Sequence, residues 1–156
     1  MENIVLARID DRLIHGQVMT AWMKTRPAKR ILVIDDKVAV DAFMIEVIEL
    51  AAPTGVKVDV YSCDQAIEAL KDGLDTPTIL LAKVPDTYKR LMDGGIALGE
   101  INLGGMGMAP GRKTLYKNIA ASEVERSVMK GFLAQGIDIK IQIIPSENCI
   151  EIGKLL

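Results

Sequence analysis

The chain contains one histidine, His15, in the run Arg8-Ile9-Asp10-Asp11-Arg12-Leu13-Ile14-His15-Gly16-Gln17-Val18. An imidazole keeps one ring nitrogen unprotonated near neutral pH and can use it as a nucleophile. Guanidinium groups suit the peripheral oxygens of a phosphoryl group better than a lysine point charge does, because they bind with two parallel hydrogen bonds. Phosphoryl transfer otherwise asks little covalent chemistry of a protein; positioning and charge do most of the work. His15 with Arg8 and Arg12 therefore points to a histidine that accepts and releases a phosphoryl group. Asp10 or Asp11 would orient the ring or the arginines, and spacing does not choose between them. Gly16 would let the backbone come close to the transferred group, and Gln17 would donate from the first turn of a helix. A lone loop histidine is more often a surface or cap residue, so spacing alone does not establish this chemistry.

The flanking elements have to aim these groups. Ile4, Val5, Leu6 and Ala7 read as a strand, and Val18, Met19, Ala21, Trp22 and Met23 have helical spacing. His15 then sits at the mouth of a strand-to-helix turn, where free N–H groups and the positive end of a helix dipole converge. The same alternation continues along the chain. Strands are predicted at 31–34, 56–61, 78–82, 100–103, 115–119 and 138–144. Asp41 caps a helix that Pro53 stops, and this mostly apolar helix is expected to pack on the sheet, or to leave one stripe for an oligomer contact. Ser62 to Gln65 and Ser122 to Glu125 match capping boxes, opening helices that end at Gly73 and Gly136. Pro85 fits the first turn of a further helix. Strands separated by helices imply an α/β fold with three layers, a mainly parallel sheet carrying helices on both faces. The segment around Leu115 is the weakest of these and could run antiparallel at an edge. In such a sheet, function collects beyond the carboxyl ends of the strands, where Asp35, Asp36, Ser62, Lys83 and residues 102–105 also emerge.

Composition narrows the possibilities. The 156 residues suit one domain over 1–156, with 49% apolar and 26% charged residues, as in a globular protein. A formal charge of −2 argues against nucleic acid and against a polybasic membrane anchor. Cys63 and Cys149 lack metal-site spacing, which argues for no metal site and for a reducing compartment; phosphoryl transfer through a histidine requires no metal or organic cofactor. Cys63 reads as a buried filler, and Trp22 as core. The Met-Glu-Asn start shows no secretory leader, and no apolar run approaches the roughly 18 residues needed to span a bilayer. The expected location is the cytoplasm.

The motif from Arg8 to Val18 resembles the active-site loop of IIB subunits of the bacterial sugar phosphotransferase system, mannose/fructose/sorbose family. The likeness continues through Ile34-Asp-Asp-Lys-Val-Ala39 with Asp41, then Ala51-Ala-Pro-Thr-Gly-Val-Lys57, Ile101-Asn-Leu-Gly-Gly105 and residues 136–138. It spans essentially the whole chain. It implies a mainly parallel sheet of about seven strands in a free-standing IIB domain. It makes His15 the phosphorylated residue, through Nδ1, with Arg8 and Arg12 holding the phosphate. The donor would be a phosphohistidine IIA protein, and the acceptor a sugar entering through membrane IIC and IID subunits. IIB would meet these at the inner face of the membrane, as a protein-phosphohistidine–sugar phosphotransferase. The sugar itself is left open.

Two rivals use other residues. Asp10, Asp11, Asp35 and Asp36 could gather at one edge as a Mg²⁺-dependent aspartyl-phosphate receiver. Gly104, Gly105 and Gly107 could cradle a nucleotide, or wall the phosphate site with Arg112 and Lys113 as a second cationic patch, although no GxGxxG or Walker lysine is present.

Overall fold

Six parallel strands run in the order β3 (57–61), β2 (30–34), β4 (78–82), β1 (4–10), β5 (100–105) and β8 (138–141), and a seventh, β9 (150–151), closes the β8 edge antiparallel. The computed structural model describes residues 1–156. The strands are β1 (Ile4–Asp10), β2 (Arg30–Ile34), β3 (Lys57–Tyr61), β4 (Thr78–Ala82), β5 (Glu100–Gly105), β8 (Asp138–Ile141) and β9 (Ile150–Glu151). The helices are α1 (Gly16–Thr25), α2 (Ala42–Leu50), α3 (Cys63–Lys71), α4 (Pro85–Asp93) and α5 (Glu123–Ala134). Alternate strand residues feed two cores. Ala7, Ile9, Leu80 and Leu103 pack with Ala66, Tyr88, Leu91 and Phe132 of α3, α4 and α5. Leu6, Val33, Ile79 and Leu81 pack with Met19, Trp22 and Ile48 of α1 and α2. Three layers result, as the alternation of segments implied.

Both predicted capping boxes form. The Ser62 and Ser122 hydroxyls accept from the N–H groups of Gln65 and Glu125, whose side chains accept from the serine N–H groups in return. β1 lies between β4 and β5. The chain leaves β1 toward β2 on one side and enters β5 on the other, so the switch in strand order falls at the carboxyl end of β1.

Four expectations need correction. β1 runs past Ala7 through Asp10, so Arg8, expected at the strand end, lies within the strand and Asp10, expected in the loop, ends it; their charges are satisfied within the fold and do not break the strand. The segment near Leu115 is a separate antiparallel hairpin, β6 (Arg112–Tyr116) and β7 (Ile119–Ser122). Its turn uses Lys117 in the left-handed region at φ 48°. β8 stops at Ile141 instead of 144, because the Gln142 and Ile143 carbonyls turn inward to take side-chain donors. α2 is not buried. Only Ile48 of its nine residues is, and Phe43 and Leu50 are 71% and 80% exposed.

Candidate active site

Arg8 and Asp10 project from β1 on the side of Leu6, toward α1. The Asp10 carboxylate is fully buried and collects three side chains. Arg12 donates to it from Nε at 2.9 Å, from Nη2 at 3.0 Å and from its backbone N–H at 3.1 Å. Arg8 donates from Nη2 at 3.0 Å, and His15 Nε2 lies 3.1 Å from Oδ2. Burial by itself pushes this carboxyl up. The Arg12 hydrogen bonds, the Arg8 charge and the His15 contact outweigh it, so Asp10 is held below the usual carboxylate range.

Arg8 is 1% exposed, and both of its terminal nitrogens are engaged. Nη1 donates to Asn102 Oδ1 at 2.5 Å and to the Gln142 carbonyl at 3.1 Å. Nη2 reaches the Ile143 carbonyl at 3.0 Å as well as Asp10. The guanidinium lies 5.4 Å from the centre of the Trp22 ring, whose N–H donates to the same Ile143 carbonyl at 3.0 Å. The phosphate contact expected of Arg8 is therefore not available in this arrangement: both terminal nitrogens already donate twice to protein acceptors, and the group lies beneath the surface. Arg12 differs, since its side chain is 49% exposed and Nη1 makes no hydrogen bond or ion pair within the protein.

Between them the chain makes a tight reversal. Leu13 takes the left-handed region at φ 57°, which is costly for a non-glycine residue. Its N–H donates to the Asp10 carbonyl at 2.9 Å, and Leu13 and Ile14 are buried in the core beside Val38. That plug holds the reversal and turns His15, 27% exposed, back over Asp10. His15 is the N-cap of α1 and makes no side-chain capping bond. The first N–H groups of α1 therefore point outward beside the ring without a side-chain partner. Gly16 sits here at φ 29°. Gln17 is exposed on the first turn and makes no side-chain hydrogen bond, so it stands at the rim.

The glycine-rich segment has a steric role. A Cβ on Gly104 would overlap the Arg8 guanidinium, and one on Gly105 would come within 2.8 Å of Asp10 Oδ1 and 3.2 Å of Arg12. Changing Gly104 to Ala should push Arg8 off its carbonyls and cost about 2–3 kcal/mol. A urea denaturation midpoint close to wild type would refute this. Further on, the Gly107 N–H donates to Asp11 Oδ2 at 2.8 Å. Arg112 lies 3.7 Å from that carboxylate, donates to the Gly107 carbonyl at 2.7 Å and grips Glu125 with both Nε and Nη2. Asp11 thus clips the glycine loop to the histidine loop. Of the two aspartates, Asp10 is the one that touches the ring.

The family described as "PTS system sorbose subfamily IIB component" matches residues 4–156. The chain belongs to that family of the sugar phosphotransferase system. It is 32% identical over 157 residues to the N-acetylgalactosamine-specific phosphotransferase enzyme IIB component 2 of Escherichia coli K12, covering 100% of both chains. Among solved structures it resembles manxB from Thermoanaerobacter tengcongensis, with 42% identity, a TM-score of 0.87, and coverage of 96% of this chain and 92% of that one. It also resembles the IIBSor domain of the sorbose permease from Klebsiella pneumoniae, with 32% identity, a TM-score of 0.90, and coverage of 96% and 93%. IIB components are phosphotransferases, and the mainly parallel seven-stranded sheet expected from the resemblance is present.

The rival arrangements do not assemble in this IIB chain. Asp35 accepts from the N–H groups of Lys37 and Val38, while Asp36 accepts from the Cys63 N–H and pairs with Arg90. Asp10 faces the arginines and Asp11 the glycine loop, so the four carboxylates point to different partners. The close approach of Arg8 and Asp10 accounts for Gly104 and Gly105 without a nucleotide, and Arg112 is tied to Glu125 rather than free as a cationic patch. Burial pushes the Cys63 thiol up to about 11, as befits a core filler. Sequence reasoning missed Asn102, Trp22 and the Gln142 and Ile143 carbonyls as partners of Arg8. Asn102, a polar residue between Ile101 and Leu103 in a buried strand, was the one available signal.

Proposed function

We propose that this IIB domain, extending over residues 1–156, carries a phosphoryl group on His15 between a phosphohistidine IIA protein and a sugar entering through membrane IIC and IID subunits. The observation that carries this reading is the His15 Nε2 contact with Asp10. A buried carboxylate only accepts, so Nε2 keeps its hydrogen, and the lone pair is left on Nδ1. Nδ1 attacks the donor's phosphorus: an N–P bond forms on His15 as the donor's P–N bond breaks and its imidazole leaves. In the second step a sugar hydroxyl oxygen forms the new P–O bond, the P–N bond to His15 breaks, and the hydroxyl proton passes to a base.

Arg12 supplies its free Nη1 to the phosphoryl oxygens, and the N–H groups at the start of α1 add a second positive edge. Gly16 keeps that edge open. Asp10 orients both the ring and Arg12, while Arg8 acts through Asp10. No metal or organic cofactor enters the step. No helix is long and apolar enough to cross a membrane. This fits a carrier that works in the cytoplasm and meets the membrane only through its partners.

Incubation with phosphoenolpyruvate, the general phosphotransferase proteins and a mannose-family IIA should add one phosphoryl mass, lost on acid treatment and independent of Mg²⁺. A hydroxylamine-sensitive, Mg²⁺-dependent adduct would indicate an aspartyl phosphate instead. Folded protein that takes no phosphate from several IIA donors would remove the carrier reading.

A further inference from the structure

α2 leaves the carboxyl edge of the sheet close to the histidine loop. The short turn before it carries Val38, which shares a core cluster with Leu13 and Ile14. Met44, Ile45 and Ile48 of α2 face inward or are partly covered, and Ile48 alone is fully buried. The opposite face carries Phe43, Glu46, Val47 and Leu50, at positions i, i+3, i+4 and i+7, which place them on one stripe. Val40, three residues before Phe43, is also exposed and extends that stripe at its N-terminal end. Apolar side chains on such a stripe lie in water at a cost, unless something covers them during function.

The charge along α2 itself is one-sided, with Lys37 the one basic residue in the turn before it. Glu46 lies within it, Glu49 beside it and Asp41 at its start, and α2 contains no basic residue. Neither glutamate forms an ion pair within the protein, and Asp41 caps the helix through the Met44 N–H. An apolar stripe set in unpaired acid fits a partner with apolar side chains set among lysines and arginines. Cytoplasmic loops of membrane proteins carry that excess of basic residues. The stripe is one face of a nine-residue helix, well short of the roughly 800 Å² per partner that a stable interface buries. A second copy of this chain would also bring the glutamates of two α2 helices together. A short, acid-rimmed contact instead suits a partner that binds and leaves within each transfer cycle.

We infer that the exposed face of α2, formed by Val40, Phe43, Glu46, Val47 and Leu50, docks on basic cytoplasmic loops of the membrane subunits that receive the phosphoryl group. This rests on the carrier reading of His15 and assigns the second of its two encounters to a particular surface. Val38, two residues before the first residue of the stripe, shares its core cluster with Leu13 and Ile14, which ties the start of this face to the histidine loop.

Inverted vesicles bearing mannose-family IIC and IID subunits, and the same vesicles without them, provide the test. Wild-type protein should co-sediment with the subunit-bearing vesicles only, more weakly as salt rises. The double variants Phe43→Ser with Leu50→Ser, and Glu46→Lys with Glu49→Lys, should each lose about tenfold in binding. Both should accept phosphate from IIA at the wild-type rate, because none of these residues touches the site. Equal binding by wild type and variants, or equal binding to bare vesicles, overturns the assignment. So does an equal fall in phosphate acceptance from IIA, which would give the surface to the soluble donor. A wild-type dimer in sedimentation velocity that the serine variant abolishes would give it to a second copy. Wild type that takes phosphate but ignores the vesicles overturns the surface alone, whereas wild type that takes none overturns the carrier reading as well.

Discussion

Replacing His15 with Ala should abolish phosphate acceptance, by at least about 10⁴-fold, while leaving the fold nearly unchanged. His15 is the only histidine, so no other imidazole can substitute. Removing the nucleophile removes the bond-forming atom; Arg12 and the α1 N–H groups would remain, but with nothing to hold a phosphoryl group. The stability cost should be small, within about 1 kcal/mol, because the ring is partly exposed and makes one contact, with Asp10. Asp10 keeps both arginines when the ring is gone. Intact mass after incubation with phosphorylated IIA checks the first claim, and a urea midpoint the second. An acid-labile adduct on the variant would place the phosphate elsewhere and sink the proposed mechanism.

The second large effect concerns Asp10. Its carboxylate is the shared anion between a buried Arg8, a half-exposed Arg12 and His15. Truncation to Ala should cost about 3–5 kcal/mol, because it leaves the Arg8 charge buried with only neutral acceptors. Asn is the sharper test. It keeps the volume but turns one acceptor oxygen into an N–H donor facing guanidinium donors, and it also ends the preference for hydrogen on Nε2. Asp10→Asn should therefore slow phosphate acceptance markedly, with a smaller loss of stability than Asp10→Ala. A variant that folds and accepts phosphate at the wild-type rate would show that the ring needs no carboxylate.

The same group sets a pH dependence. Asp10 and Glu125 are both held below their ordinary values, net of the burial that opposes this. A carboxylate with a lowered folded pKa binds fewer protons when folded than when unfolded. Its contribution to stability is complete above the unfolded value, near 4, and is lost as pH falls through the lower folded value. Chemical denaturation from pH 6 downward should show stability falling below about pH 4–5. In Asp10→Asn that fall should be shallower.

Much of this protein was readable from local pattern. The capping boxes at Ser62 and Ser122, the glycine stops and the strand-helix alternation involve residues within about four positions of each other. Such interactions form in any context that lets the segment fold. The histidine at the strand-to-helix turn was legible for the same reason. The amphipathic argument failed for α2, whose apolar residues lie on every side. An all-round apolar helix reads as buried, yet the fold provides a wall on only one side of it.

The division of roles within the site depends on contacts across long separations. Residues 8–18 name the candidates but assign no roles among them. That assignment comes from groups far along the chain: Asn102 and the Gln142 and Ile143 carbonyls, up to 135 residues from Arg8, surround its guanidinium and take it out of solvent. Gly107 draws Asp11 away from the ring, so Asp10 faces His15. Nearest-neighbour spacing carries no information about which strands become adjacent, and adjacency decides which arginine is buried and which remains free for a ligand. Local sequence brings the chemistry to the carboxyl edge of β1; the packing of β5 and the end of β8 against that edge distributes it among the residues.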